Sequence, residues 1–321
     1  MAAGLWYQYQ SFLNTPLPID PGGEVLLVEK GSSVNSVLAK LESRAVTTLD
    51  WKWRLLNRLR PVTIKTGEYA LQPGLRPAQL LALLASGKVI SYRFTIVEGW
   101  SLQQLLDNLG QDPVLVHTVT TVADLAVLEQ LPAAHPEGWF LPETYVFTRG
   151  DKDIDILRRA YSAMQIALEK TWQGRAQGLP YETPYELLIM ASIVEKETSM
   201  PDERPDIAGV FVRRLQQRWR LETDPTVIYG IGENYDGDIK THDLRTDTPY
   251  NTYTRHGLPP TPISLPGLAA LQATAHPADG EAMFFVANGQ GGHTFSVTLE
   301  EHNKAVKEYL KIYAKQHQKN P

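Results

Sequence analysis

Residues 183–199 read TPYELLIMASIVEKETS, and no other stretch limits the possible folds so strongly. Thr183, Pro184 and Glu186 make a helix start: a capping hydroxyl, proline at the first helical position, and an acid three residues after the cap. The helix so opened is apolar nearly all round, through Leu187, Leu188, Ile189, Met190, Ala191, Ile193 and Val194. A helix without a polar face has to be buried, so the rest of the chain must surround it. The helix then emits Glu195, Lys196 and Glu197 in succession. A carboxylate at the end of a buried helix is partly desolvated, which raises its pKa toward the range of a general acid. Glu197 follows Ile193 and Val194 by four and three residues, so their side chains should flank it, while Glu195 stands in the smaller, more polar setting of Ala191 and Ser192. The alternative is that the helix merely surfaces here and both glutamates are solvated. The residues alone leave both readings open.

At 321 residues the chain has room for two modules. A net charge of −5 with dispersed basic residues argues against a nucleic-acid partner. The absence of cysteine removes disulfides, thiolate metal sites and cysteine nucleophiles together. No apolar run approaches the roughly 20 residues that cross a bilayer. The first residues, MAAGLWYQYQSFL, nevertheless carry Trp6, Tyr7 and Tyr9. Such a cluster suits a membrane interface next to a transmembrane helix lying just upstream, or else a frayed terminus.

Residues 1–21 are therefore expected to be a juxtamembrane lead, with the Pro/Gly-rich stretch 15–23 extended and exposed. Residues 22–90 carry a β-α-α-β pattern. A strand at 25–30 precedes a helix capped by Ser33, with Val34, Val37, Leu38 and Leu41 on one face. A second helical stretch carries Leu49, Trp53 and Leu56, and 62–70 returns as a strand before a short helix that stops at Gly87. Residues 91–321 predict a larger α+β domain. Its strand over 89–97 leads into a helix opened by Ser101 and Gln104, and long helices are expected at 153–172, 184–198 and 203–218. Residues 223–268 read as largely loop, before two strands and a helix opened by Thr298 and Glu301. The fold class is α+β.

Several segments in fixed order carry a resemblance: VEGWSLQQLLDNL at 97–109, EGWFLPETYVF at 137–147, ASIVEKET at 191–198 and RLETDPTVIYGIG at 220–232. YNTYTRHGLPPTPISLPG at 250–267 and AHPADGEAMFFVANGQGGHTFSVTLEEHN at 275–303 continue it. Together they resemble the MltG/YceG-like endolytic murein transglycosylases. The resemblance implies a short cytoplasmic end, one transmembrane helix, a small LysM-like module over 22–90 and a catalytic domain over 91–321. This chain would then face the periplasm from the bacterial inner membrane and act on peptidoglycan glycan strands, with a peptidoglycan synthase as a plausible partner and termination of nascent strands as its role. It also implies that the second glutamate of VEKE, Glu197, is the acid/base, with Glu195 as second candidate or support, paired with an arginine from a neighbouring element. No metal or organic cofactor is implied. A lytic transglycosylase needs one carboxylate, because the C6 hydroxyl of N-acetylmuramic acid replaces the water of an ordinary two-carboxylate glycosidase. The alternatives are such a hydrolase, with Asp224 as second carboxylate, and a wall-binding scaffold without activity.

Other side chains carry two readings each. Asp224, before Pro225, either caps a short helix or faces the glycan cleft. Tyr250, Asn251 and Tyr253 suit sugar recognition, as aromatics with polar tips and an amide that both donates and accepts. Glu137 and Glu143 are further cleft candidates, whereas Trp139 and Phe140 belong to the core. His242, His256, His276, His293 and His302 fall at no metal-ligand spacing; His293, in GQGGHTF, suits a tight turn near the cleft. Ser192 is expected to bond its own helix backbone.

Overall fold

The structure, a computed structural model, describes residues 2–128, 131 and 135–317. Its class is α+β. Two compact units divide the chain: residues 1–94 with 112–116 and 146–152, and residues 95–111, 117–145 and 153–321. This partition differs from a cut at residue 90, because two short later segments belong to the first unit.

The first unit begins with helix α1 (Ala2–Asn14). Tyr9 is buried there, against Phe12 at 6.3 Å and Trp51 at 6.4 Å between ring centroids, so this helix is packed on the unit. Trp6 and Tyr7 remain exposed. Among the described residues, no helix is long and apolar enough to cross a membrane. The segment 15–23 departs from expectation, since Leu17 and Ile19 are buried in the core of this unit. The β-α-α-β order is present as β1 (Glu24–Val28), α2 (Val34–Ser43), α3 (Trp51–Leu59) and β2 (Gly67–Leu71). The strands are antiparallel, from Glu24↔Leu71 to Val28↔Gly67. Ser33 caps α2 and exchanges hydrogen bonds with Ser36, as a capping box requires. Leu26, Leu38, Leu41, Trp53, Leu56, Tyr69 and Leu84 form the core.

The strand expected over 62–70 starts only at Gly67. Before it, the Lys65 amide donates to Leu84 O at 3.0 Å and the Tyr69 hydroxyl donates to Lys65 O at 2.7 Å, so this backbone serves α4 (Pro77–Ser86) rather than β1. Gly67 has φ +134°, and a side chain there would collide with Val89. Glu68 is buried in the same unit, and its carboxylate accepts from Arg149 and from the Tyr92 hydroxyl.

β3 (Tyr92–Thr95) pairs with β4 (Thr144–Phe147), and the unit boundary falls within both strands. The second unit holds α5 (Leu102–Gly110), opened by the Ser101–Gln104 capping box, and α6 (Asp153–Gln173). At its centre is α7 (Pro184–Glu197), packed on α6, on α8 (Arg204–Gln216) and on α11 (Leu268–Ala275). Leu187, Leu188, Met190, Ile193 and Val194 are fully buried, each contributing about 1.5–3 kcal/mol. Residues 223–268 are largely loop, as expected, interrupted by α9 (Asp224–Ile231) and α10 (Thr241–Arg245). A hairpin of β5 (Phe284–Ala287) and β6 (His293–Ser296), then α12 (Leu299–His317), complete the unit.

Candidate active site

Thr183 caps α7 by accepting the Glu186 amide, which sets where the helix begins and hence where its last turn falls. In that turn Glu195 and Glu197 point roughly 200° apart, so they serve different neighbours. Glu195 is buried and held on both oxygens: Oε1 accepts from Arg204 Nη2 at 2.9 Å, and Oε2 from the Gly267 amide at 2.9 Å. Arg204, itself buried, also reaches Glu98 at 3.4 Å. Desolvation raises the Glu195 pKa, and the Gly267 amide and Arg204 only partly offset it. No remaining oxygen of Glu195 is directed elsewhere.

Glu197 is only half-buried, and its Oε1 accepts a hydrogen bond from the Thr223 hydroxyl. Its pKa is pushed up to about 7, first by desolvation and further by the charge of Asp224, against the downward pull of Thr223, His293 and Arg214. Thr223 is itself immobilised. Its amide donates to Thr252 Oγ1 at 3.1 Å, its carbonyl accepts from Thr226 Oγ1 at 2.8 Å, and the Thr226 and Thr252 hydroxyls lie 2.9 Å apart. Glu222, immediately before, has φ +50°, a left-handed backbone that a side chain adopts only under constraint.

Asp224 is exposed and opens α9 as its first helical residue; the N-cap is Thr223, and neither capping side-chain bond forms. The Asp224 carboxylate instead accepts the Tyr253 hydroxyl at 2.6 Å. His293 Nδ1 lies 2.7 Å from Glu203 Oε2, and the His293 amide donates to Glu203 Oε1 at 2.8 Å. Although burial pushes the Glu203 carboxyl up, these bonds hold it below the usual glutamate range. Glu197, Thr223, Asp224, Tyr253, His293 and Arg214 thus form one electrostatic group.

Glu137 and Tyr250 belong to another constellation. Glu137 is buried at the N-terminus of α5, where both oxygens accept the Leu102 amide (2.9 and 3.1 Å) and Oε2 accepts the Tyr229 hydroxyl (3.2 Å). Burial pushes its pKa up to about 7 despite those donors. Tyr229 and Tyr250 pack at 5.0 Å, the Tyr250 hydroxyl is 2.9 Å from Thr261 Oγ1, and all four residues line a cavity of about 240 Å³.

Asn251 and Glu143 lie in settings of their own. Asn251 is buried; its amide nitrogen donates to the carbonyls of Asp243, Leu244 and Thr246, and its oxygen accepts the Tyr253 amide. It orders the loop after α10 and has no free hydrogen-bonding face. Glu143 is exposed and accepts its neighbour's amide, Thr144 N, at 3.1 Å; among the described residues no hydrogen bond or ion pair ties it to the Glu197 group. Ser192 bonds its own helix through Ile189 O at 2.7 Å, and Phe140 is fully buried. The residues that sequence reasoning passed over are Thr223, Arg204, Glu203, Arg214 and Tyr229. Thr223 adjoins Asp224 in TDPT, but nothing there points to Glu197; Arg204 stands where an arginine beside Glu195 was expected without its number, and no signal marked Arg214.

A half-buried carboxyl that is protonated near neutral pH, with a hydroxyl donor ready to stabilise its anion, can deliver a proton and later take one back. The YceG-like family model matches residues 26–308. An endolytic murein transglycosylase of Bacillus subtilis is 27% identical over 303 residues, covering 88% of this chain and 84% of the relative. One from Streptococcus pneumoniae is 26% identical over 350 residues, and this chain, aligned over 97% of its length, spans 63% of that relative. A crystal structure of a yceG-like protein from Listeria monocytogenes is 30% identical with a TM-score of 0.56, covering 88% of this chain and 98% of that one.

Proposed function

Because this chain belongs to the YceG-like family, we propose that it is a peptidoglycan lytic transglycosylase and that Glu197 is its acid/base. The observation that carries this reading is the state of Glu197: at the end of a buried helix, held protonated up to about pH 7, with Thr223 donating to it. The protonated carboxyl donates to the glycosidic oxygen after N-acetylmuramic acid as the C1–O bond breaks with its electron pair on the leaving sugar. The Glu197 carboxylate so formed, stabilised by the Thr223 hydroxyl, removes the proton of the C6 hydroxyl, whose oxygen bonds to C1. A 1,6-anhydro end forms, no water is consumed, and Glu197 is protonated again. Asp224, tied to Tyr253, keeps the field at Glu197 negative and so favours its protonated form.

The names of the bacillar and pneumococcal relatives support murein as substrate. A place in the cell envelope follows from that substrate, with anchorage to the inner membrane through an upstream helix, a periplasmic orientation and a synthase partner as parts of the same proposal. The β1-α2-α3-β2 order supports a LysM-like role for the first unit. The test is product chemistry. Isolated glycan strands should yield ends one water lighter than hydrolysis products and without a reducing sugar, by mass spectrometry. A reducing muramic acid would make the protein a hydrolase using Asp224, and no product would make it a binding protein.

A further inference from the structure

Helix α8 ends in a turn that places an indole in solvent. The Trp219 amide donates to Arg214 O at 2.8 Å and the Arg218 amide to Leu215 O at 3.0 Å, the paired bonds of a Schellman motif. Arg218 occupies its left-handed position at φ +56°, where glycine is usual. The residue after that position normally packs back onto its helix. Trp219 instead remains 43% exposed, with its ring against Phe284 at 5.9 Å and 65° between planes. The indole lines a depression of about 470 Å³ with Leu215, Arg218, His256 and Gly257. His256 and Gly257 also line neighbouring depressions of about 280 and 550 Å³, so the surface is furrowed on both sides of the loop 256–260.

This place is joined to the proposed acid by a short segment hydrogen-bonded to its neighbour. The Glu222 amide donates to Thr252 O at 3.2 Å, Thr223 N to Thr252 Oγ1 at 3.1 Å, and Arg220 Nη1 to Tyr253 O at 2.9 Å. Segment 219–224 is therefore tied to the turn at 251–255. One end carries Thr223, bonded to Glu197, and the other carries Trp219 beside His256. Four residue steps of at most ~3.6 Å put Trp219 within about 14 Å of Thr223, a few sugar units along a strand.

Building on the transglycosylase reading, we infer that the Trp219–His256 depression is a further sugar subsite, which binds an N-acetylhexosamine of the glycan strand at a distance from the bond cleaved. The exposed indole offers an apolar face to the C–H face of a pyranose, and Arg218 and His256 at its rim offer donors to hydroxyl and acetamido oxygens. The subsite adds affinity for long strands and takes no part in proton transfer.

Two measurements test this, each against Trp219→Phe, which retains an aromatic face. On peptide-free glycan strands, Trp219→Ala should raise KM roughly tenfold while kcat changes far less, the signature of lost uniform binding, and Trp219→Phe should recover most of the loss. Calorimetric titration of Glu197→Gln protein with the hexamer of N-acetylglucosamine should show binding that the added Trp219→Ala change weakens roughly tenfold and the added Trp219→Phe change far less. Equal hexamer affinity with and without the indole, or no hexamer binding at all, overturns the subsite. So does a Trp219→Phe variant as impaired as the alanine one with a lowered unfolding temperature, which would make the indole a cover for Phe284. Wild-type protein that binds the hexamer through Trp219 yet cleaves no strand leaves the subsite standing and refutes the transglycosylase reading instead.

Discussion

At the scale of single residues, the proposed chemistry rests on a proton held by burial. Glu197→Gln keeps size and one hydrogen-bonding face but has no proton to give, so strand cleavage should fall below detection with little change in thermal unfolding. In wild-type protein the rate should fall as pH rises through about 7, where Glu197 loses its proton. A fully active glutamine variant would remove Glu197 from the mechanism. Glu137 offers a thermodynamic check of the same physics. Its folded pKa of about 7 stands above the ordinary glutamate value of 4.5, so folding favours its protonated form. Its contribution to stability is fully present below about pH 4.5 and is lost as pH rises through about 7. The difference, 7 − 4.5, is worth at most about 3–4 kcal/mol at ~1.4 kcal/mol per unit. Denaturant unfolding from pH 5 to 8 should therefore fall less steeply for Glu137→Gln, and parallel curves would show that the carboxyl is not buried as described. The sequence singled out Glu197 by its place at the end of an apolar helix and by the family resemblance, while the groups that act on it come from other elements. Its partner Thr223 was not legible, since it lies 26 positions away and is brought in by α9. Asn251 was ambiguous for a related reason: an amide suits a sugar or a loop equally well, and its bonds to three loop carbonyls arise only in the fold.

At the scale of elements, α7 was the most legible part of the chain, because an all-apolar helix admits only a buried position. The strand over 62–66 misled because its β-branched run is real, yet the chain there is bonded to the end of α4 and not to a strand. Two element junctions carry predictions. The Glu195–Arg204 pair fastens the end of α7 to the start of α8, and both members are buried. Glu195→Ala should cost about 3–5 kcal/mol, because it strands the guanidinium with a 3.4 Å contact to Glu98. Glu195→Gln should cost less and retain part of the activity. A dead but stably folded Glu195→Gln would move the acid to that residue. At the other end of α8, Arg218→Gly should stabilise the protein by about 0.5–1 kcal/mol, since glycine accepts a positive φ without strain. Denaturation midpoints would show it, and a loss of stability would mean that the arginine side chain contributes more than its backbone loses.

At the scale of the whole molecule, each of the two compact units is assembled from three separate stretches of chain. Hydrophobic patterning marks where elements begin, and it cannot reveal that 112–116 and 146–152 return to the first unit. A chain begun at residue 91 would keep those segments without the unit that holds them, leaving Arg149 without Glu68. Such a fragment should melt lower and scatter more light on heating than the full chain; an unchanged profile would show that the segments need no such support. The interleaving also has a temporal side. A ribosome releases residue 94 well before residue 152, and the gap of 152 − 94 = 58 residues takes about 3–12 s at ~5–20 residues per second. Throughout that interval Glu68 awaits a guanidinium encoded 81 positions downstream. The first unit, whose opening stretch emerges ahead of the second, thus completes itself only after the opening segments of its neighbour have already emerged.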